Sequence, residues 1–564
     1  MQSIKDKVIY QIYVKSFMDS NGDGKGDIAG ITMKLDYLKR LGADCLWLTP
    51  VFVSPMNDNG YDVADYYSID PSFGTMEDLE ELIAEAKKRG LGIMLDMVFN
   101  HTSTEHEWFR KAISGDKKYK DYYIFRKGRG ALPPTNWISK FGGSAWEPAG
   151  ESGEYYLHLF DRTQADLNWE NEDLRKELYD VVNFWIGKGI VGFRFDVVNL
   201  ISKPDVLADD LNGDGRRFYT DGPRVHEHLK ELAKNTFGKH HDMITVGEMS
   251  STSIENCVRY SNPLEEELSM VFNFHHLKVD YEAGDKWTLK EFDFMELKRI
   301  FNDWQTGMEK EGGWMALFYN NHDQPRSVSR FGSDSKYHKE SAKMLSASIH
   351  LMRGTPYIYQ GEEYGMPNAY FDDIAEYRDI ESINYYDILK SKGMAEPDIL
   401  EVLREKSRDN GRTPMLWDGS EGHGFSTSVP WLPFSRISGI SAESDIASQD
   451  SIFNHYRKLI ELRKQYDVIS DGTFRMTNLD DRHLLSYIRC KGTERMLVVN
   501  NFYENETEFD LDKLFDETGI DFRKCTIESV LISNYSDLAK VGEIIRIRPY
   551  ESFALYVEDN QPSC

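Results

Sequence analysis

The chain has 564 residues, 40% of them hydrophobic and 13% aromatic, enough apolar material for large cores and far from the composition of a disordered chain or a small stapled scaffold. Lys and Arg total 67 against 94 Asp and Glu, a formal net charge of −27. That field repels nucleic-acid phosphates and anionic membranes, so neither is an expected partner, and an anionic substrate would need a local basic cluster.

In chain order, VIYQIYVKSF (8–17) reads as a strand. DSNGDGKGD (19–27) follows, with side-chain oxygens at Asp19, Asn21, Asp23 and Asp27 and a backbone carbonyl at Lys25. This is a plausible Ca2+ loop, with Mg2+ or an unoccupied turn as alternatives; it is no EF-hand, because the twelfth position is Gly30 rather than Glu. A helix from Ile31 places Leu35, Leu38 and Leu41 on one face, and DCLWLTP (44–50) is a second strand. The next helix opens with Thr75 and Asp78 as a near capping box, buries Leu79, Leu82, Ile83 and Ala86, and stops at Gly90. LGIMLDMVFN (91–100) is the third strand. Near-continuous apolar strands joined by helices of about four turns indicate parallel βαβ units buried on both faces.

The rhythm breaks after His101. Residues 102–170, rich in Gly, Pro, Lys and aromatics, contain one clear strand, EYYLHLF (154–160), and read as an irregular insertion. A helix over 172–188 then restores the pattern, with strands at 191–197, 243–249, 268–274, 314–321 and 355–363. Eight strands predict an α/β fold, a (β/α)8 barrel over 1–101 and 171–470, with the 102–170 insertion after strand 3. Beyond a helix ending near Gln465, short strands at 473–479, 483–490, 494–502 and 544–558 predict an antiparallel β-sandwich domain over 471–564. No signal-peptide core is present and no apolar run approaches the roughly 18 residues of a membrane span. Five scattered cysteines (Cys45, Cys257, Cys490, Cys525, Cys564) without a CxxC pair fit reduced thiols. The expectation is a cytoplasmic monomer.

Carboxylates stand at four strand ends: Asp96, Asp196, Glu248 and Asp323. A buried strand has little use for one, since a desolvated unpaired charge is costly. Asp96 has an alternative reading as a helix cap, whereas Asp196 and Asp323 lie beside Arg194 and His322. Acids converging on the C-terminal face of a barrel, with aromatics such as Tyr61, Phe160 and Phe274 nearby, point to glycoside hydrolysis. In that chemistry one carboxylic acid protonates the leaving oxygen while another carboxylate attacks or steadies the anomeric carbon.

The segments DMVFNH (96–101), GFRFDVVN (192–199), GEMS (247–250) and NNHDQPR (320–326), with QADLNW (164–169), resemble in order the motifs of the α-amylase family of glycoside hydrolases, family 13. The resemblance implies Asp196 as nucleophile, Glu248 as acid/base and Asp323 as the group that binds sugar hydroxyls and holds the distorted ring. It also implies retention of the α configuration. Around the attacked glucose it places Tyr61, Asp62, His101, Phe160, Gln164, Arg194, His322 and, from RDNGRTP, Arg412. It implies no catalytic cofactor, and the loop at 19–27 resembles the structural Ca2+ loop of the oligo-1,6-glucosidase group. Val197 after the nucleophile argues against an α-1,4 maltase. PPTNWISKFGGSAWE (133–147), GDGRRFYTDGPRVHE (213–227) and VFNFHHLKVDY (271–281) resemble the members of that group that act on trehalose 6-phosphate. These stretches carry Lys140, Arg216, Arg217, Arg224, His275, His276 and Lys278, donors suited to a phosphate dianion. The implied activity is hydrolysis of the sugar phosphate trehalose 6-phosphate to glucose and glucose 6-phosphate, with an exo-acting oligo-1,6-glucosidase as the alternative.

Overall fold

Eight short strands, nearly every residue of them buried, form the centre of the fold. They are β1 (Ile9–Ile12), β2 (Cys45–Leu48), β3 (Gly92–Met97), β4 (Gly192–Phe195), β5 (Ile244–Glu248), β6 (Met270–Phe272), β7 (Ala316–Leu317) and β8 (Thr355–Tyr359). The computed structural model describes residues 4–151, 153–537 and 543–559. The strands lie in the order β6-β5-β4-β3-β2-β1-β8-β7 and all pair in parallel. A parallel bridge from Val271 to Met315 brings the two ends of the sheet together into a nearly closed barrel. Burial on both faces follows, because inward side chains fill the barrel and outward ones meet the helices.

The helices keep the predicted chemistry. Met76–Lys88 starts at a complete capping box between Thr75 and Asp78, and Glu172–Gly187 starts at Asn171, whose side chain accepts from the Leu174 N–H. The single helix expected from Ile31 is instead two, Ile28–Met33 and Leu35–Leu41, joined at Lys34.

Between β3 and β4 the insertion folds as a three-stranded antiparallel sheet of Phe125–Lys127, Glu154–Leu157 and Trp146–Pro148. Its two stems pair as His101–Ser103 against Gln164–Asp166. Buried Lys203 anchors them to the barrel, donating to Asn100 Oδ1 at 2.8 Å and pairing with Asp166 at 2.7 Å. His101 and Gln164 therefore reach the barrel mouth on a fixed ribbon.

The C-terminal region is a five-stranded antiparallel sheet in the order Thr473–Thr477, Leu484–Lys491, Glu494–Asn501, Ser552–Glu558 and Val530–Ser533. Period-2 alternation splits its side chains. Leu485, Tyr487, Met496 and Val498 join the barrel core, while Leu484, Ile488, Leu497 and Val499 face a second core. That core is closed by the ribbon Thr507–Asp510/Ile544–Ile547 and by helix Leu511–Thr518. The second layer is thus smaller than a full sandwich. The stretch 544–558, predicted as one strand, breaks after Ile547 into strands of two different sheets. The expectation of reduced thiols fails at Cys490, which is disulfide-bonded; Cys564 lies outside the described residues. Cys45, Cys257 and Cys525 are free and buried. No helix among the described residues is long and apolar enough to cross a membrane.

Arg489 fastens this region to the barrel. Its buried guanidinium donates to the carbonyls of Leu351 at 2.6 Å, Gly472 at 2.8 Å and Thr473 at 2.8 Å. Arg489→Met removes this donor from the buried carbonyls of Leu351 and Gly472, at about 1–3 kcal/mol each, and from the part-buried one of Thr473. A thermal melt should show an apparent Tm lower by several degrees, with activity per folded molecule unchanged.

Candidate active site

The strand ends of β3, β4 and β5 meet on one cation. Arg194, on β4, is wholly buried and lies in register opposite Asp96 of β3. Its Nη1 donates to Asp96 Oδ1 at 2.7 Å and to Asp196 Oδ1 at 2.8 Å, and its Nη2 pairs with Glu248 at the end of β5. The guanidinium lies over the rings of Trp47 and Tyr61, at 5.2 and 5.7 Å from their centroids. A planar fork with donors in fixed directions therefore orients three carboxylates from three adjacent strands. The other oxygen of Asp96 accepts from Trp47 Nε1 at 3.2 Å and Tyr61 Oη at 2.9 Å. Asp96 is part of the floor of the site and caps no helix.

Burial pushes the Asp196 carboxyl up to about 7, with Asp96 and Asp323 adding to the rise and Arg194 opposing it. Immediately after Asp196 the chain turns sharply at Val197, which lies in the left-handed region at φ 35°, a strained conformation for a β-branched residue. Val197 lines the cleft.

Asp323 has the opposite balance. Burial alone would raise it, but His322, Arg408, Arg412 and Arg194 hold it well below the usual carboxylate range. Arg412 Nη2 donates to Asp323 Oδ1 at 2.8 Å, and Arg408 Nη1 reaches the same oxygen at 3.3 Å. Burial lowers His322 to about 3 and His101 to about 4, so both rings are neutral. His322 stacks on Tyr61 at 5.2 Å and its Nε2 lies 3.2 Å from Asp323 Oδ2. His101 Nε2 lies 3.1 Å from the Tyr61 carbonyl and 3.2 Å from Gln164 Nε2, with the Phe160 ring 5.2 Å away.

Asp62 lies apart from this ring. Its carboxylate accepts from Ser54 Oγ and from the N–H groups of Asn57 and Asp58, so it fastens the turn that presents Asp58. Asp58 lines the cleft, accepts from Gln164 Nε2 at 3.1 Å and is raised to about 7 by burial against the pull of Arg408 and Arg412. Sequence reasoning passed over Asp58, Arg408 and Phe141, whose ring lies 5.2 Å from the Arg408 guanidinium. Arg408 carried a signal: it sits four residues before Arg412, the spacing that puts two side chains on one helical face.

The seven basic candidates separate. Lys140 Nζ donates to Ser250 Oγ at 3.0 Å, two residues beyond Glu248, and its sequence neighbour Phe141 lines the cleft. Burial, with Arg216 and Lys278 nearby, lowers Lys140 to about 7; Lys278 is lowered too, by burial and by Arg216. Arg216 itself pairs with Asp214 at 2.8 Å. Lys140, Lys278 and Arg216 lie within electrostatic reach of one another, and His275 lies within reach of Lys278; Arg217, Arg224 and His276 are engaged elsewhere. Arg217 pairs with Asp210 at 3.0 Å, and Arg224 with Glu170 and Glu227. His275 packs on Trp304 at 4.6 Å, and His276 is buried against Phe301 and Phe318 with Nε2 facing the Phe318 carbonyl.

In the loop at 19–27, Asp19 accepts from the N–H groups of Asn21, Gly22 and Gly24 and from Ser426 Oγ. Asp27 accepts from Ser20 and caps Ile28–Met33 through the Gly30 N–H. Asn21 and Asp23 each accept from a backbone N–H two residues on, that of Asp23 and that of Lys25. Among the described residues no group of three or more His, Cys, Asp or Glu is arranged to hold a metal ion.

The alpha-amylase catalytic-domain family matches residues 11–472, and the alpha-amylase SusG C-terminal domain family matches residues 484–553. The chain is 55% identical over 552 residues to the trehalose-6-phosphate hydrolase of Bacillus subtilis (strain 168), covering 97% of each. It is 46% identical over 559 residues to an oligo-1,6-glucosidase of Parageobacillus thermoglucosidasius, covering 97% of this chain and 98% of the relative. The crystal structure of Bacillus licheniformis trehalose-6-phosphate hydrolase is similar at a TM-score of 0.92 and 55% identity, over 99% of this chain and 100% of that one.

Proposed function

The chain belongs to the α-amylase family of glycoside hydrolases, and on that premise we propose that it hydrolyses trehalose 6-phosphate to glucose and glucose 6-phosphate with retention of configuration. The two trehalose-6-phosphate hydrolases above support the substrate. The observation that carries the phosphate preference is Lys140, which donates to Ser250 Oγ two residues past Glu248 and lies over the Tyr219 ring at 5.8 Å, with Lys278 and Arg216 within electrostatic reach of it.

The unphosphorylated glucose occupies the cleft with its anomeric carbon toward Asp196. Ionised Asp196 attacks that carbon while Glu248 gives its proton to the bridging oxygen; the carbon–oxygen bond breaks and glucose 6-phosphate departs. Glu248, now a carboxylate, takes a proton from water, the water oxygen attacks the anomeric carbon, and the ester to Asp196 breaks to release glucose. Retention requires the two carboxyls about 5–5.5 Å apart, and both are held by the one guanidinium of Arg194. Asp323, always ionised, and the neutral rings of His101 and His322 hold the sugar hydroxyls. Lys140 gains its proton fully once a phosphate dianion lies beside it, giving a charge-assisted hydrogen bond.

The loop at 19–27 is proposed as a structural Ca2+ position remote from the chemistry. Its oxygen donors are of the class that Ca2+ takes, and binding requires Asn21 and Asp23 to turn away from the loop backbone. Millimolar Ca2+ should then raise the apparent Tm reversibly with chelator; an unmoved melt in both conditions rejects the proposal.

A charge-assisted hydrogen bond is worth about 1.5–3 kcal/mol, so Lys140→Ala and Lys278→Ala should each lower kcat/KM for trehalose 6-phosphate by roughly 10- to 150-fold while changing that for isomaltose less than threefold. Wild-type turnover of isomaltose equal to that of trehalose 6-phosphate would support the oligo-1,6-glucosidase reading instead. The nucleophile must be ionised and its pKa is raised to about 7, so kcat/KM should fall as pH drops below neutrality. An aryl α-glucoside is the substrate for that profile, because the phosphate of the natural one titrates near pH 6, at about the same place. Asp96→Asn removes a like charge and should move the acid limb to lower pH.

A further inference from the structure

Three residues past Asp196, Asn199 is wholly buried and clamps the backbone two residues past Glu248. Its Oδ1 accepts from the Ser250 N–H at 2.9 Å and its Nδ2 donates to the Ser250 carbonyl at 2.9 Å. The loops that follow the two central carboxylates are thus stapled through one amide. Nδ2 also donates to Asp221 Oδ1 at 3.0 Å, and the Asp221 N–H donates back to the Asn199 carbonyl at 2.9 Å.

Asp221 is an unusual residue to find here. It lies in the left-handed region at φ 50°, as does Ser251 at φ 56°, conformations that cost energy in residues other than glycine. Its carboxylate faces four donors: Asn199 and Tyr260 Oη (2.8 Å) on Oδ1, and Thr252 Oγ1 (2.8 Å) and Asn256 Nδ2 (2.8 Å) on Oδ2. Both oxygens are engaged, by groups from the segments after β4 and β5. The far end of the chain of contacts is Lys140, which donates to Ser250 Oγ.

Resting on the reading of Glu248 as acid/base and Lys140 as a phosphate donor, we propose that Asp221 and Asn199 are positioning residues that set both groups in one frame through Ser250. The phosphate of the departing product and the proton delivered to its oxygen are then registered against each other by a single network. Neither residue touches the substrate.

The test is Asp221→Asn. It replaces one acceptor oxygen with a donor nitrogen facing two donors, loosening the clamp while keeping size and left-handed tolerance. Expected is a loss of at least tenfold in kcat/KM for trehalose 6-phosphate, with kcat lower and KM higher. For 4-nitrophenyl α-glucoside, whose leaving group needs neither a proton nor a phosphate contact, kcat/KM should stay within threefold of wild type. Combined with Lys140→Ala, the loss on trehalose 6-phosphate should be smaller than the product of the single losses, because both act through one frame. Equal losses on the two substrates, no loss on either, or strictly multiplicative losses overturn the proposal. If Asp221→Asn does not fold, Thr252→Val removes one of the four donors and should reproduce the same substrate split at smaller size; its absence counts against the proposal equally. Failure of the underlying reading looks different, because Lys140→Ala alone would then leave trehalose 6-phosphate turnover at the wild-type level.

Discussion

The whole site depends on a buried guanidinium shared by three carboxylates. Without Arg194, the buried Asp96 and Asp196 and the half-buried Glu248 would be adjacent anions, facing a desolvation penalty and the repulsion of one another. With it, the three strand ends are fixed in direction and in separation. The compensation is deliberately incomplete in its chemistry: Asp58, Asp96, Asp196, Glu248 and Asp323 stand against Arg194, Arg408 and Arg412, and the two histidines in the cleft are neutral. Such an excess of acid over base favours holding a proton among the carboxyls, which the acid step needs. It also favours the positive charge that develops on the sugar ring in the transition state.

The opposite sign gathers around Lys140, beside the loop that follows Glu248. Lys140 and Lys278 are both depressed by burial and by cationic neighbours, a cost that an incoming dianion relieves. Under the proposed function, a sugar phosphate entering phosphate-first would set its charge against Asp196 and Asp323, whereas entering glucose-first would set its phosphate toward Lys140. Net charge of −27 over the chain does not oppose this, since nearby fixed charges outweigh distant screened ones.

Much of this was legible in the sequence, for physical reasons. The eight barrel strands stood out because a parallel strand covered on both faces must be apolar throughout. Asp196, Glu248 and Asp323 stood out because an acid at the end of such a strand has no structural use. The insertion was harder: Phe125–Lys127 and Trp146–Pro148 are three residues each, too short for alternation to register. At Asp58 and Asp62 the sequence offers two acids in one loop, and only the hydrogen bonds decide that Asp62 faces the backbone while Asp58 faces the cleft. The basic residues show the same limit, because whether an arginine in a loop is free or already paired with an acid, as Arg216, Arg217 and Arg224 all are, depends on tertiary neighbours that spacing does not encode.

The central claim is that Asp196, held by Arg194, forms the covalent bond to glucose. Incubation with a 5-fluoro-α-glucosyl fluoride slows release of the intermediate, and peptide mass spectrometry of the quenched protein then locates the sugar. The account predicts one fluoroglucosyl adduct, on the peptide containing GFRFD and at Asp196. An adduct on Glu248, on Asp96 or on Asp323, or turnover with no adduct and inverted product, would contradict it.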